Sequence, residues 1–379
     1  MSEIRKKKKL GTMTFHIAHN YGAVLQAYAL PKAVRSLGYE CEVIHYCFPY
    51  IYCWSHVERL RELNKKHGII GGLLRYIKRS LQGVYNPSLK QNKFESFIHH
   101  VISLSENQYH DVSELQNMDY DAILFGSDQI WNSQLTGGIA KEFVGGFECL
   151  SNTRKIAYAA SCGRSAFLDE EKEHYYPLLN GFYALGVREQ GLCQSLCKDG
   201  FDAKQVLDPT LLLNKDQWNE MIKSSKHRVK MPEKDYLLVY VFDEDSSIYQ
   251  LIDSIATKYD LEVCVIAYHM KAEIEKYNVY QNCGPEDFVR LIAGASKIVT
   301  TSFHGTVFSI LYEKDFYCVP HPTLHERTDS LLLSLNLSNR NCSSETNIEE
   351  MNLIKWSEVK QCLDTLREDS LKFLRETIG

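Results

Sequence analysis

Strand-like and helical patterns alternate along this chain, and this alternation restricts its fold more than any other feature. Residues 10–17 have the composition of a strand, residues 23–37 have helical periodicity that stops at Gly38, and residues 40–45 form a second strand pattern. A strand, a helix and a strand in this order form a βαβ unit, whose two strands run parallel. The opening of the chain therefore predicts an α/β fold with a parallel sheet.

Further strand patterns extend this first unit and then begin a second one. Short apolar runs that end in turn residues occur at residues 120–125, 156–160, 183–187 and 205–208. After a polar stretch at residues 214–234, the alternation begins again with strands at 236–242, 262–267, 297–301 and 316–319. The sequence therefore predicts two Rossmann-like α/β lobes that face each other across a cleft.

The length and composition agree with this division. The chain has 379 residues, of which 44% are apolar, and this is enough for two domains with separate cores. We place an N-terminal lobe at residues 1–214, a C-terminal lobe at residues 235–355 and a C-terminal helix at residues 356–379. Within the first lobe, residues from about 50 to 118 are rich in Lys, Arg and aromatic side chains, and we expect a helical insertion there.

Charge, cysteine content and hydropathy argue against several classes of protein. The net charge of −5, with 24% charged residues, does not favour a nucleic-acid partner. The 12 cysteines include no CxxC pair, so we expect free thiols, no metal site and a cytoplasmic location. The longest apolar runs fall far short of the roughly 20 residues that span a bilayer. The basic run at residues 5–9 leaves open either a solvated chain end or a peripheral contact with anionic lipid on the inner face of the membrane.

Ser302 and His304 lie where a strand pattern of the second lobe meets a helix. Ser302 stands in the place of an N-cap residue, and Gly305 permits a close approach of the backbone to a ligand. Helix N-termini attract phosphates and carboxylates, which makes this junction a candidate anion site. A histidine there can equally well cap or pack against the helix, so the residues alone leave both roles of His304 open.

Arg188 and Asp128 each follow a strand pattern of the first lobe. Arg188 suits a bidentate clamp on a carboxylate or phosphate, whereas a salt bridge with Glu189 is the simpler alternative. Asp128 lies in a Gly-Ser-Asp-Gln turn, in which an aspartate often bonds only its own backbone. Trp131 suits either stacking on a sugar ring or burial in a core. Further acids near predicted loops, with no spacing that singles them out, are Glu142, Asp208 and Asp329.

Five short segments, taken together and in their order, carry a family resemblance. They are residues 14–28 with the run Asn-Tyr-Gly-Ala, residues 126–132 (Gly-Ser-Asp-Gln-Ile-Trp-Asn), Val187-Arg188, Asp208-Pro209-Thr210, and residues 302–306 (Ser-Phe-His-Gly-Thr). With these segments the chain resembles the polysaccharide pyruvyl transferase family over residues from about 10 to 340. No single segment would be sufficient, but their order and spacing are specific to the family.

The resemblance implies a GT-B-like fold and a transferase. Its donor would be phosphoenolpyruvate, and its product a sugar of a capsule, exopolysaccharide or lipid-linked precursor that carries a pyruvate ketal, with release of phosphate. No cofactor or metal is implied, and the partners are phosphoenolpyruvate and a glycan or lipid-linked oligosaccharide. In this interpretation His304 is the general acid or base, Arg188 clamps the donor, and Asp128 orients the acceptor hydroxyl.

The same resemblance assigns the remaining site residues to two groups. The donor is expected to contact Arg188, Ser302, His304, Gly305, Thr306 and Arg327. The acceptor is expected to contact Asn20, Tyr21, Gly126, Ser127, Gln129 and Trp131. Some family members carry an arginine two residues before the histidine, where this chain has Ser302. The positive charge for the donor is then expected from Arg188, Lys297 or Arg327.

Two other functions remain open at this point. A nucleotide-sugar glycosyltransferase can use the same architecture, because a fold does not determine the donor. The chain has no GxGxxG or Walker pattern, however, and so gives no sign of the nucleotide cofactors that those motifs bind. A non-catalytic scaffold in a glycan assembly complex is the other alternative. It would be favoured if His304 and Arg188 lay on opposite surfaces.

Overall fold

The strands of this protein form two separate parallel sheets. The computed structural model describes residues 7–48, 87–147, 153–223, 228–242, 247–267, 272–320, 325–343, 345–349 and 351–379. Within these ranges every strand pairing is parallel, as the βαβ patterns predict. Most strands are buried on both faces, which explains why they appear in the sequence as continuous apolar runs.

The first sheet contains seven strands in the order β3-β2-β1-β4-β5-β6-β7. They are β1 (Lys9–Met13), β2 (Glu40–Tyr46), β3 (Leu104–Tyr109), β4 (Ala122–Phe125), β5 (Arg154–Ala160), β6 (Ala184–Val187) and β7 (Ala203–Gln205). The strand order reverses between β1 and β4. A crevice for ligands is expected beyond the carboxyl ends of two such strands.

The second sheet contains five strands in the order β10-β9-β8-β11-β12. They are β8 (Tyr236–Tyr240), β9 (Glu262–Ile266), β10 (Asn278–Tyr280), β11 (Lys297–Thr300) and β12 (Asp315–Cys318). Here the order reverses between β8 and β11, so the segment that follows β11 lies at the second switch point. The molecule thus has the predicted GT-B-like arrangement of two Rossmann-like lobes.

Helices connect the strands and cover the sheets. They are α1 (Tyr21–Ser36), α2 (Pro87–His100), α3 (Ser133–Thr136), α4 (Asp169–Leu179), α5 (Gln190–Lys198), α6 (Lys215–Lys223), α7 (Ser247–Tyr259), α8 (Pro285–Gly294), α9 (Phe303–Leu311), α10 (Glu326–Ser334) and α11 (Trp356–Ile378). Short 3₁₀ helices lie at Val112–Asn117, Lys141–Val144, Pro209–Leu211, Ala272–Ile274 and Ser338–Arg340. No helix within the described ranges is both long enough and apolar enough to cross a membrane.

The expectation of a helical insertion at residues 50–118 is only partly met. Residues 50–86 lie outside the described residues, and α2 is a helix as expected. Leu104–Tyr109, in contrast, is the edge strand β3. The helical prediction was wrong there because an edge strand needs few buried residues, and this one has a mostly polar sequence without clear alternation. The short strand β10 was missed for the same reason.

One hydrophobic cluster spans both lobes and includes α1, and each lobe also has a cluster of its own. Asn20 caps α1 by accepting a bond from the N–H of Ala23 at 3.2 Å, which fixes where the helix begins. The Tyr21 ring stacks on Phe288 of the second lobe at 4.7 Å between centroids, and its hydroxyl donates to the carbonyl of Cys283. Apolar residues of α1 and of the second lobe belong to the same buried cluster. The packing therefore holds the lobes in a fixed relation.

The C-terminal helix α11 returns to the first lobe. The hydroxyl of Ser370 accepts a bond from the N–H of Leu207 at 3.0 Å, and Phe373 packs near Tyr158 and Gly186. The Nζ of Lys8 donates to the last carbonyls of the chain. These contacts join the two ends of the sequence across the first lobe.

A buried ion pair at the contact between α2 and α8 gives a test of this packing. The Nζ of Lys93 lies 2.6 Å from the Asp287 carboxylate, and both side chains are almost fully buried. Replacing one partner leaves the other charge buried, so Lys93→Met should lower the free energy of unfolding by about 3–5 kcal/mol in denaturant titrations. The control Lys32→Met breaks a more exposed pair with Glu220 and should cost less than about 1 kcal/mol. Equal effects of the two substitutions would contradict the proposed contact.

Candidate active site

Residues from both lobes converge on one buried carboxylate, that of Asp208. Its Oδ2 accepts bonds from the Nη1 of Arg188 at 2.9 Å and from the hydroxyl of Ser127 at 3.0 Å. Its Oδ1 accepts bonds from the N–H and the hydroxyl of Thr210, and lies 3.8 Å from the Nε2 of His304. Burial raises the pKa of Asp208, but His304, Arg188 and the bonds from Thr210 outweigh burial and hold that pKa below its usual value. Asp208 is therefore a charged hub that connects Arg188 with His304.

His304 lies in the first turn of α9, at the switch point of the second sheet. Ser302 caps this helix, as predicted, by accepting a bond from the N–H of Gly305 at 3.3 Å. The imidazole is buried, and its Nε2 has no hydrogen-bond partner in the described part of the chain. Burial lowers the pKa of His304 to about 4, although Asp208 and Asp128 act in the opposite direction. The imidazole is therefore neutral at pH 7 and able to accept a proton.

The position of His304 depends on a glycine of the other lobe. Gly22, in the first turn of α1, lies so close that a Cβ atom there would come within 2.0 Å of His304 Nδ1. Only a residue without a side chain permits this approach. The Asn-Tyr-Gly-Ala run of the sequence therefore has a physical role, which is to let α1 lie against the imidazole.

Two arginines, one from each lobe, lie against the ring of Phe303. Arg188 follows β6 and has its Cζ 5.0 Å from the ring centroid, and Arg327 in α10 has its Cζ 5.5 Å away. Burial opposes the charge on Arg188, but Asp208, Glu189 and Asp128 raise the pKa of Arg188. Burial and the nearby Arg188 lower the pKa of Arg327 to about 10, so both groups are protonated at pH 7.

These two guanidinium groups retain unused donors. The Nε and Nη2 atoms of Arg188 and the Nε of Arg327 are buried and have no hydrogen-bond partner among the described residues. The other face of Arg327 is held by the Gln129 amide, whose oxygen accepts bonds of 3.2 and 2.9 Å when it is turned toward the guanidinium. Buried unpaired donors are costly, and here they point to an absent anionic ligand.

Two further acids lie beside Arg188. Asp128 adopts a positive φ of 73°, and its Oδ1 lies 3.8 Å from the Nη2 of Arg188 and accepts the N–H of Gln129 at 2.8 Å. The Oε1 of Glu189 lies 3.7 Å from the Nε of Arg188 and accepts a bond of 2.5 Å from the Ser161 hydroxyl. Burial raises the pKa of Glu189 despite the neighbouring cations. The predicted ion pair between Arg188 and Glu189 is thus only a distant contact. The main partner of Arg188 is Asp208.

The residues predicted to contact the acceptor occupy different environments. Asn20 is exposed at the start of α1, and Gln129 lies beside Arg327. Ser127 is fully buried and is used by Asp208. Gly126 has a φ of +131°, and a Cβ there would lie 2.0 Å from the carbonyl oxygen of Tyr158, so it serves the tight turn.

The structure corrects the prediction that Tyr21 and Trp131 contact a sugar. Both side chains have no exposed surface. The Nε1–H of Trp131 donates to the carbonyl of Phe143 inside the hydrophobic cluster that belongs to the first lobe alone. Tyr21 contacts both lobes, because its hydroxyl donates to the carbonyl of Cys283. Their aromatic surfaces are used for packing, which is the more frequent fate of large aromatic residues.

Two residues of the predicted donor site, and one candidate source of positive charge, have other roles. The N–H of Gly305 is taken by the Ser302 hydroxyl and that of Thr306 by the Ser302 carbonyl, so neither is free for an anion. Lys297 begins β11 at the opposite edge of the sheet from His304, and its Nζ pairs with Asp315 at 2.5 Å. Of the predicted cations, only Arg188 and Arg327 lie in the cleft.

A pocket between the lobes opens beside the two arginines. Its wall includes Arg188, Asp208, Phe303 and Arg327, and it continues between α10 and α11 to Gln205, Ser330, Ser334 and Asp369. His304 is not part of this wall, but its Nε2 lies 3.8 Å from the Asp208 carboxylate that Arg188 also contacts, so the two residues meet at that carboxylate. The described residues contain no group of three or more His, Cys, Asp or Glu side chains that could hold a metal ion.

Comparisons with known proteins identify the family of this chain. The family model of polysaccharide pyruvyl transferase matches residues 20–322, which is most of the chain. No curated protein matches the sequence.

Several solved structures are similar along nearly the whole chain, at low sequence identity. A UDP-GlcNAc 2-epimerase from Neisseria meningitidis bound to UDP-GlcNAc has 10% identity and a TM-score of 0.48, with 98% of this chain and 99% of that chain covered. The UDP-N-acetylglucosamine 2-epimerase from Rickettsia bellii has 11% identity and a TM-score of 0.43, with 97% and 98% covered. The glycosyltransferase SnogD from Streptomyces nogalater has 10% identity and a TM-score of 0.39, with 99% and 100% covered.

The contact between Gly22 and His304 gives a test of the site geometry. In Gly22→Ala the new methyl group cannot fit beside Nδ1, so the imidazole must move toward water. NMR titration of the His304 ring should give a pKa of about 4 in the wild type and a value nearer 6.5 in the variant. The control Gly181→Ala, which meets only the carbonyl of Leu178, should leave the His304 titration unchanged. An unshifted titration in Gly22→Ala would show that the lobes do not meet as described.

Proposed function

Because the chain belongs to the polysaccharide pyruvyl transferase family, it is a transferase, and we propose that it moves a pyruvyl group from phosphoenolpyruvate to a sugar. The acceptor would be a surface polysaccharide, such as a capsule or exopolysaccharide, or its lipid-linked precursor. One observation carries the proposal, which is that two arginines with unused donors line one pocket between the lobes, while a neutral histidine lies beside the Asp208 carboxylate in the wall of that pocket. No cofactor other than the donor is proposed.

The arginine pair suits a donor with two anionic groups. Phosphoenolpyruvate carries a carboxylate and a phosphate, and guanidinium groups bind both in a bidentate way. Arg188 offers Nε and Nη2, and Arg327 offers Nε. Some family members carry an arginine at the position of Ser302. Arg327 can supply this positive charge instead, because its guanidinium lies on the ring of Phe303, the residue next to Ser302. A guanidinium delivered by α10 can thus replace one carried by the strand–helix junction.

His304 suits the role of general base toward the acceptor. An attacking sugar hydroxyl must lose its proton, and a neutral imidazole within reach can take it. The Asp208 carboxylate, 3.8 Å from Nε2, stabilises the imidazolium that forms. Asp128, Asn20 and Gln129 lie on the first-lobe side, where we place the acceptor. A lipid-linked acceptor would bring the protein to the inner face of the membrane, where the basic run at residues 5–9 can contact anionic lipid.

The first experiment measures phosphate release and the pyruvyl mass increment on a panel of free and lipid-linked glycans supplied with phosphoenolpyruvate. Wild-type protein should transfer the group, and His304→Ala should lower kcat/KM by about 10²–10⁴-fold, since general acid–base catalysis contributes about that much. Binding of a nucleoside diphosphate sugar, with no binding of phosphoenolpyruvate, would instead favour the glycosyltransferase alternative.

The pH dependence of the rate tests the role of His304 separately. A base must be unprotonated to act, so the rate should be lost as the pH falls through about 4 and the imidazole becomes charged. The acid limb should be absent from the residual rate of His304→Ala. An acid limb near pH 6.5 in the wild type would show that the imidazole is not held as described.

The assignment of the donor cations is tested by a matched pair of substitutions. Arg327→Met should weaken phosphoenolpyruvate binding by about 10–100-fold in calorimetric titrations, because a hydrogen bond to a charged group contributes roughly 1.5–3 kcal/mol. Lys297→Met removes a cation that is paired with Asp315 at the far edge of the sheet and should leave the affinity unchanged. If both variants bind equally well, Arg327 does not hold the donor.

A further inference from the structure

Ketal formation requires a proton donor that the proposed function has not yet supplied. Two sugar hydroxyl oxygens bond to C2 of phosphoenolpyruvate, the bond from C2 to the phosphate oxygen breaks, and the methylene carbon gains a proton to become a methyl group. Of the two hydroxyl protons, one balances the proton added to carbon and the other leaves with the phosphate. Since His304 is neutral and suited to accept a proton, a second group that gives one would allow both transfers to occur together.

Glu189 has the geometry of such a group. It follows Arg188 at the carboxyl end of β6, at the edge of the first sheet that meets the second lobe, and its side chain is almost fully buried. The Ser161 hydroxyl at the end of β5 holds Oε1 at 2.5 Å. The other oxygen, Oε2, is buried and has no hydrogen-bond partner in the described ranges. One oxygen is thus fixed and the other is unused.

The ordinary structural roles of a glutamate at this position do not account for Oε2. Glu189 precedes α5 as its N-cap residue, yet its side chain makes no capping bond. Its closest approach to Arg188 is 3.7 Å and involves Oε1. An unpaired carboxyl oxygen in a buried site is costly unless the carboxyl group is protonated or a ligand uses it.

Building on the proposed function, we propose that Glu189 is the proton donor to the methylene carbon of phosphoenolpyruvate, while His304 takes the proton of the attacking hydroxyl. In this step the O–H bond of the carboxylic acid breaks and a C–H bond forms. The carboxylate that remains is stabilised by the neighbouring Arg188. A hydroxyl proton then restores the acid, so the residue ends the cycle as it began.

The surroundings of Glu189 shift the balance of its carboxyl group toward the protonated form. The groups that face it are Arg188 on its own strand, Arg327 from α10, and Ser161 and Cys162 after β5. Burial raises the pKa of Glu189 and outweighs Arg188, the Ser161 bond and Arg327, which lower it. An anionic donor bound to both arginines would weaken their effect and raise that pKa further. Environments that separate two pKa values in this way commonly distinguish an acid from a base.

The test compares Glu189→Gln with Glu142→Gln, which changes another buried glutamate of the first lobe outside the cleft. Glu189→Gln should bind phosphoenolpyruvate within about threefold of the wild type but transfer at least about 100-fold more slowly, since general acid catalysis contributes roughly 10²–10⁴-fold. Glu142→Gln should keep both the affinity and the rate. Wild-type protein that fails to bind phosphoenolpyruvate would overturn the proposed function itself. Normal binding with a normal rate in Glu189→Gln would overturn only the role of Glu189 and leave His304 to move both protons.

Ser161→Ala and Glu189→Asp cover the case in which Glu189→Gln does not fold. The Ser161 bond favours the ionised carboxylate, so its removal should shift the alkaline limb of the pH–rate profile to higher pH. Glu189→Asp keeps the acid and should transfer faster than Glu189→Gln. A purely structural role of Glu189 predicts slower rates without any movement of the alkaline limb, and that result would overturn the proposal.

Discussion

The buried carboxylate of Asp208 sets the arrangement of the whole site. A charge without contact to water is tolerated only when its oxygens are fully bonded, and four donors from three positions satisfy this one. Ser127 follows β4, Arg188 follows β6, and Asp208 and Thr210 follow β7. The site therefore requires that the carboxyl ends of these three strands keep their relative positions. His304 completes the group from the second lobe. The chemistry therefore depends on the packing of α1 between the lobes, because that packing brings α9 to the carboxylate.

Most of the fold could be predicted from the sequence because its strands are buried on both faces. Such strands are continuous apolar runs, and the structure places strands at most of those runs, although β7 overlaps the run at residues 205–208 only at Gln205. The edge strands β3 and β10 were not predicted because few or none of their residues are buried, so their sequences have little hydrophobic pattern. β12 also lies at an edge of its sheet, but it is mostly buried and was predicted, so burial rather than position in the sheet separates the predicted strands from the missed ones.

The site was predictable only where local sequence determines it. Arg188 directly follows β6 and His304 lies in the first turn of the helix after β11, so topology places each at the carboxyl end of its own sheet. Their convergence depends in addition on the packing of one lobe against the other. The role of Asp208 depends on Ser127, 81 residues earlier, and on contacts between lobes, which no local pattern shows. Burial of Trp131 and the choice between Lys297 and Arg327 are likewise tertiary facts. Lys297 is the first residue of β11, so it lies at the amino end of the strand. His304 follows the carboxyl end of the same strand, on the other side of the sheet.

Burial shifts the pKa values of the two proposed catalytic groups in opposite directions, which is how one buried site can supply both an acid and a base. Removing water disfavours the charged form of any group, so it takes the proton from an imidazole and leaves the proton on a carboxylic acid. Burial therefore favours the neutral form of both side chains, lowering the pKa of His304 to about 4 and raising the pKa of Glu189. Contacts between the lobes maintain that burial, since the hydroxyl of Ser330 in α10 accepts bonds from the N–H of Gln190 and the amide of Gln205. If the lobes separated, water would return both pKa values toward 6.5 and 4.5, and the difference between acid and base would be reversed.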